Sequence, residues 1–312
     1  MDDELDADLS GRTPARKTVA DFDPRALALF DNYVHGVIDR REFLRSAARF
    51  AGTVGALGLL TALSPQFAAA QQVKPDDKRL SATFVEFPSP DGYGKGRAYL
   101  VRPASSDAPA PTVLVVHENR GLNPHIEDIA RRLALAGYIV LAPDALFPLG
   151  GYPGDEDGAR ALFAKLEQDK TRADFIAAAH YLASVEGGNG RMGTVGFCWG
   201  GGIVNMLASR LPMLAAAAPF YGIAPPIEAV PAIKAEMLIV LAAQDERVNA
   251  TWPAYKDALD AAHVRYALLQ PAGTQHGFNN DTTPRFDAEG ARQAWARTLE
   301  LFGRTLRGSG AS

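Results

Sequence analysis

The chain has 312 residues, 47% of them hydrophobic, a formal net charge of −4 and a single cysteine. That is enough apolar material to bury a full core, in one large α/β domain or in two. The near-neutral charge gives no electrostatic case for a nucleic-acid partner. The lone cysteine excludes an internal disulfide, and with no spaced Cys/His cluster of the zinc type, no metal or organic cofactor is expected.

Taken in order, residues 1–70 read as a leader. Asp23 is placed to cap a helix with Pro24 at its first position. Phe30, Tyr33, Val34, Val37 and Ile38 would share one face of that helix. Arg40-Arg41-Glu42-Phe43-Leu44-Arg45 then precede a Gly-, Ala- and Thr-rich apolar stretch, 47–63, interrupted by Arg49. Ala68-Ala69-Ala70 offers a small-residue cleavage site before Gln71.

Charged, apolar and small-residue regions in that order are those of an export signal. The paired arginines point to the twin-arginine route for folded cargo, with that export machinery as a partner and a periplasmic or secreted destination. Cleavage is expected after Ala70. The apolar run is too short and too glycine-rich for a membrane span, so no stable span is expected after processing. The alternative is an amphipathic or buried helix that carries two arginines. Residues 1–39 make a longer lead than a signal needs, and their role stays open.

Residues 71–312 read as one domain. Strands are predicted at 83–87, 96–101, 112–116, 138–141, 191–195, 215–220, 237–241 and 265–270, with helices between most of them and a last helix at 288–306. Thr112 to Val116 is the kind of β-branched run that lies buried on both faces of a parallel sheet. The alternation predicts an α/β fold, a mostly parallel central sheet with helices on both faces.

The chemistry centres on Gly196-Phe197-Cys198-Trp199-Gly200. A G-x-C-x-G string between a strand and a helix is the cysteine form of the nucleophile elbow, which aims the side chain out of the sheet at a helix N-terminus. A thiol nucleophile needs a base, and the base an orienting acid. In chain order, Asp245 follows the 237–241 strand and His276 follows the 265–270 strand within a glycine-bounded loop. Each alone reads as a core, turn or loop residue; three strand ends in the required order make a constellation.

Of the other histidines, His35 lies in the leader, and His125, His180 and His263 lack strand-end placement. His117 follows a core strand directly and reads as a structural neighbour of Glu118. The loop Glu118-Asn119-Arg120 stands where this arrangement builds half an oxyanion hole. Its donors would be the backbone N–H groups of Asn119 and Trp199. Glu118 alternatively pairs with Arg120. Trp199, Tyr152, Tyr221 and Phe278 are candidate pocket walls, or core.

The cysteine elbow, Glu118 after the early strand, Asp245 and His276 together resemble the dienelactone hydrolase family of the α/β-hydrolase superfamily, over roughly residues 81–306. The resemblance implies Cys198 as nucleophile, His276 as base, Asp245 as its orienter, and Glu118 as an extra acid that holds the resting thiol. It implies action on small lactones or carboxylic esters. It also implies arginines for a substrate carboxylate. The place matching one of them is Asn280, so Arg285 and Arg160 are the candidates. An acyltransferase or peptidase on the same scaffold remains open, as does a non-catalytic ligand-binding protein. A redox-sensing thiol would need a partner cysteine from another molecule.

Overall fold

The run Ala110–Val116 (β3) is buried at every position, as a strand covered on both faces must be. The computed structural model, which describes residues 17–105 and 108–307, builds a single eight-stranded sheet around it. The other strands are β1 (Leu80–Ser89), β2 (Gly94–Pro103), β4 (Ile139–Pro143), β5 (Gly188–Phe197), β6 (Leu214–Phe220), β7 (Glu236–Val240) and β8 (Tyr266–Leu269). Their spatial order is β1-β2-β4-β3-β5-β6-β7-β8. β1 and β2 join antiparallel at one edge, and every pairing from β4 to β8 is parallel.

The helices around the sheet are α5 (Pro124–Leu135), α6 (Glu156–Phe163), α7 (Gln168–Ala183), α8 (Trp199–Arg210), the single turn α9 (Glu246–Asn249), α10 (Trp252–Ala261) and α11 (Ala288–Leu306). Side chains of α7 and α8, such as Phe175, Leu182, Val204 and Leu207, pack on one face with Leu114 and Ile239. Ile126, Leu133, Leu301 and Phe302 of α5 and α11 cover the other, against Val113 and Val140. Two caps set where these helices begin. Asn123 accepts from the Ile126 N–H and is followed by Pro124, and Asp287 accepts from the Gly290 N–H. This is the expected α/β architecture: five strands run longer than predicted, β4 and β7 are shifted by one or two residues, and β8 is one residue shorter at each end than the predicted 265–270.

Residues 17–70 are folded and docked. α1 (Pro24–Val34) is capped by Asp23, whose carboxylate accepts from the Arg25 N–H at 2.8 Å. It is followed by α2 (Arg40–Ala47), α3 (Gly55–Leu63) and the single turn α4 (Phe67–Ala70). Phe30, Tyr33 and Phe43 cluster with ring centroids 5.3–6.2 Å apart, over Leu27, Leu59, Leu60 and Leu63. The helix stops at Val34, short of the expected face, so Val37 is exposed rather than part of the stripe. Among the described residues no helix is long and apolar enough to cross a membrane.

The chain between this cap and β1 is pinned. Val73 N–H donates to Asp128 at 2.8 Å, Arg131 Nε donates to the Val73 carbonyl at 2.9 Å, and Gln72 Nε2 donates to Asp281 at 2.8 Å.

Candidate active site

β5 ends at Phe197 and α8 begins at Trp199, leaving Cys198 alone in the turn with φ 56° and ψ −116°. A positive φ at a non-glycine residue is strained backbone, of the kind that gathers at functional sites. The flanking glycines are required by space. A Cβ on Gly200 would lie 2.4 Å from the His117 carbonyl oxygen, and one on Gly196 would lie 2.5 Å from the Gly200 oxygen. Trp199 N–H, opening α8, has no carbonyl one turn back within its helix.

His276 and Asp245 arrive from the ends of β8 and β7. Asp245 Oδ1 accepts from the Val248 N–H at 3.2 Å, capping the turn that follows, while Oδ2 sits 2.5 Å from His276 Nδ1. Both residues are buried, and His276 Nε2 is left without a hydrogen-bond partner. Tyr221 packs its ring 5.0 Å from the His276 imidazole and holds it from behind.

The unforeseen member is His35, set aside by the sequence as a leader residue. It stands just past α1, with Nε2 3.7 Å from Cys198 Sγ and its ring edge-on to His276 at 4.8 Å. Its Nδ1 lies 2.9 Å from the Asp31 carbonyl oxygen and 3.3 Å from the Asp31 carboxylate. A possible signal in the chain was the Asp31/His35 pair, one helical turn apart. It acquires meaning only when α1 docks.

Electrostatics follow from this crowding. Burial pushes the Cys198 thiol up, but the charge on His276 and the contact with His35 outweigh it and bring the thiol down to about 6. Burial pushes the His276 imidazole down; the Cys198 charge and the Asp245 bond overcome it and raise it to about 10. His35 behaves likewise, lowered by burial and raised by Asp31 and Cys198 to about 9. The arrangement favours a thiolate between two imidazolium rings.

The cap completes the surroundings. The Val34 carbonyl accepts from Asn119 Nδ2 at 3.1 Å and from Arg120 Nη2 at 3.0 Å, tying the cap to the loop that should supply an oxyanion donor. Arg285 pairs with Asp31 at 2.9 Å, Arg40 with Asp157 at 3.0 Å, and Tyr33 bonds the Asp157 carboxylate. A cavity of about 380 Å³ lies between cap and domain and reaches Cys198 and His276. Glu118, Tyr152 and Arg120 line its domain side, and Phe30, Tyr33 and Leu60 its cap side.

Several expectations are corrected. Glu118 does not hold the thiol or pair with Arg120: its carboxylate accepts from Asn280 Nδ2 at 2.9 Å, and Arg120 faces Glu156 at 3.5 Å. Trp199 turns its indole away from the cavity, stacking on His117 at 5.4 Å and donating to Gln168. Tyr221 and Phe278 are fully buried behind His276, so they are core rather than walls. Arg160 lies over the Tyr33 ring at 4.0 Å and donates to the Tyr33 carbonyl, which makes it a cap support. Tyr152 and Arg285 do line the cavity, and so does Arg120, which the sequence offered only as a partner for Glu118. His117 is a neighbour as expected, accepting from the Ala145 N–H through Nε2.

The sheet order, the strained elbow and the three strand-end residues define an α/β-hydrolase. Within that class the chain belongs to the dienelactone hydrolase family, whose model matches residues 97–306. It is accordingly a hydrolase of the dienelactone hydrolase type. A second model, described as YqhI-like, matches residues 13–52, most of the cap. A protein of Escherichia coli K12 named "Putative carboxymethylenebutenolidase" is 32% identical over 260 residues, 78% of this chain and 94% of that one. "Putative hydrolase fragment YghX" of the same organism is 54% identical over 107 residues, 34% of this chain and 92% of that one. Among solved structures, "Putative Dienelactone Hydrolase" from Klebsiella pneumoniae superposes with a TM-score of 0.63 at 29% identity, covering 72% of this chain and 99% of the other.

Proposed function

We propose that the chain hydrolyses small lactones or carboxylic esters through a Cys198–His276–Asp245 relay. The observation that carries this is one buried line of groups: Asp245 on Nδ1 of His276, and the unpartnered Nε2 of that ring beside the thiol at the elbow. Asp245 fixes the tautomer and orientation of the imidazole. Cys198 Sγ attacks the acyl carbon, forming a C–S bond while the carbonyl π electrons move to oxygen. The backbone N–H groups of Asn119 and Trp199 are the donors for that oxyanion, each worth about 10²–10³ in rate. Collapse breaks the C–O bond, and His276 gives its Nε2 proton to the departing alkoxide. Water then surrenders a proton to His276 and attacks the thioester, and loss of the thiolate releases the acid.

Glu118, held on Asn280, contributes charge on the cavity wall in this scheme. Arg285, Arg120 and Arg40 are the cations lining the cavity, and each already faces an acid, Asp31, Glu156 and Asp157. The cavity size suits a small substrate enclosed between cap and domain.

The assay is turnover of short p-nitrophenyl esters and a lactone panel by the full chain beside Cys198→Ala and Cys198→Ser. Turnover that disappears in Cys198→Ala supports thiol acyl transfer; equal turnover in the alanine variant, or none in either protein, removes it in favour of a binding role.

The twin-arginine order at 40–70 supports passage of the folded chain out of the cytoplasm, to the periplasm or medium. The docked cap favours a protein that keeps these residues, since a cut after Ala70 would strip His35 and half of the cavity wall. The intact mass of the exported protein separates the two cases.

A further inference from the structure

The hydrolase relay is Cys198, His276 and Asp245; His35 stands outside it. One ring nitrogen of His35, one of His276 and the Cys198 sulfur all lie within 4.8 Å of one another. We propose that these three side chains form a site for a borderline divalent cation, Zn²⁺ above all, whose binding clasps the cap onto the domain and silences the nucleophile.

The donor set fits. One thiolate and two neutral imidazoles are ligands that suit zinc, and three protein ligands leave a fourth position for water. With Zn–S near 2.3 Å and Zn–N near 2.0–2.1 Å, a tetrahedral site separates sulfur from nitrogen by about 3.6 Å. Sγ and His35 Nε2 stand 3.7 Å apart, so that edge needs no rearrangement. The ligand atoms lie within 4.8 Å of one another, so the His276 ring must close in by at most about 1.5 Å to reach tetrahedral spacing. Both imidazoles also carry the outer partner that ligating histidines require on the far nitrogen: Asp31 for His35 and Asp245 for His276. The unpartnered, buried Nε2 of His276 already points into the space.

One group opposes a cation. Arg247 Nη2 lies 3.3 Å from His35 Nε2. Arg247 is exposed, so its guanidinium can swing into water and leave the nitrogen lone pair to the metal. The remaining nearby cations, Arg120 and Arg285, are each engaged by an acid. Coordination takes the sulfur as the thiolate and displaces one proton from each imidazolium ring to solvent, and no electron changes hands. With Sγ coordinated, the thiolate lone pair that would attack an acyl carbon is taken, and the ion links residue 35 to residues 198 and 276.

The test titrates the full chain with Co²⁺ as a spectroscopic stand-in, then displaces it with Zn²⁺; the readout is absorbance and does not depend on turnover. The expected result is one Co²⁺ per chain, a thiolate-to-cobalt charge-transfer band with tetrahedral d–d bands, and stoichiometric displacement. His35→Ala should weaken binding at least tenfold, Asp31→Asn by about 10–100-fold, and His35→Cys should restore it. If His35→Ala loses its circular dichroism, the Asp31→Asn and His35→Cys pair decides. No charge-transfer band, or the same band at the same affinity in His35→Ala, overturns the proposal. So does unaltered affinity in Asp31→Asn together with none gained by His35→Cys. A protein without esterase activity that still shows the His35-dependent band would leave this site standing and remove only the hydrolase reading.

Discussion

The sheet domain and the cap meet the solvent problem in different ways. In the domain, β3 and its neighbours bury both faces, and two helical layers share more than sixty core side chains. The cap has ten buried apolar residues, centred on Phe30, Tyr33 and Phe43. A core that small is marginal alone, so much of the cap's stability comes from the domain. The ties are polar: Val34 to Asn119 and Arg120, Asp31 to Arg285, Arg40 to Asp157. The domain therefore fixes Cys198, His276 and Asp245, while the cap holds His35 over them by bonds that can be broken one at a time.

The contrast is sharpest where chemistry and cap are perturbed separately. Asp245→Asn should leave fold and cap in place and lower kcat by about 10⁴, as when the orienting carboxylate of a triad is lost; kinetics beside circular dichroism check it. A fall of less than tenfold would mean that His276 is held by something else.

The next effect is on pH. For the free enzyme, kcat/KM should rise as the thiol loses its proton through about 6 and fall as His276 loses its own through about 10. His35 helps to lower the thiol, so His35→Ala should move the acid limb to higher pH and leave kcat on the plateau changed far less than Asp245→Asn does. Ultraviolet absorbance of the thiolate follows the same shift without substrate. An unmoved limb would detach His35 from the nucleophile's electrostatics.

The smallest effect is mechanical. Arg285→Ala removes a half-buried pair and should cost about 1 kcal/mol or less in stability. It should nonetheless speed proteolysis within residues 17–70 relative to the domain. Equal rates in the two proteins would show that this pair does not hold the cap.

These two regions also differ in how far they could be read in advance. Strands such as Thr112 to Val116 are legible because a run buried on both faces leaves one kind of residue. Cys198 is legible because the elbow needs Gly196 and Gly200, whose missing Cβ atoms make room for facing carbonyls. Glu118 is half legible: its place follows from the strand, but its partner, Asn280, comes from a loop 162 residues away. For Trp199, Tyr221 and Phe278 the sequence leaves wall and core open, because an aromatic residue near a site reads the same whether it faces the cavity or the core. His35 was out of reach, because nothing local to α1 says where that helix docks. The glycine- and alanine-rich stretch before Ala70 reads as a leader by composition alone, and composition is silent about packing.

The rivet at Gln72 and Val73 gives the cap a property that no single contact has. Residues 17–71 stay covalently joined to the domain through this point, so any separation and return of His35 to Cys198 is an intramolecular event. For a short flexible tether the effective concentration of such an arm is on the order of millimolar. Any molecule that needs the space beside Sγ competes with that standing concentration, whatever the amount of protein in the tube. Diluting the enzyme will not free the thiol; shortening or cutting the tether will.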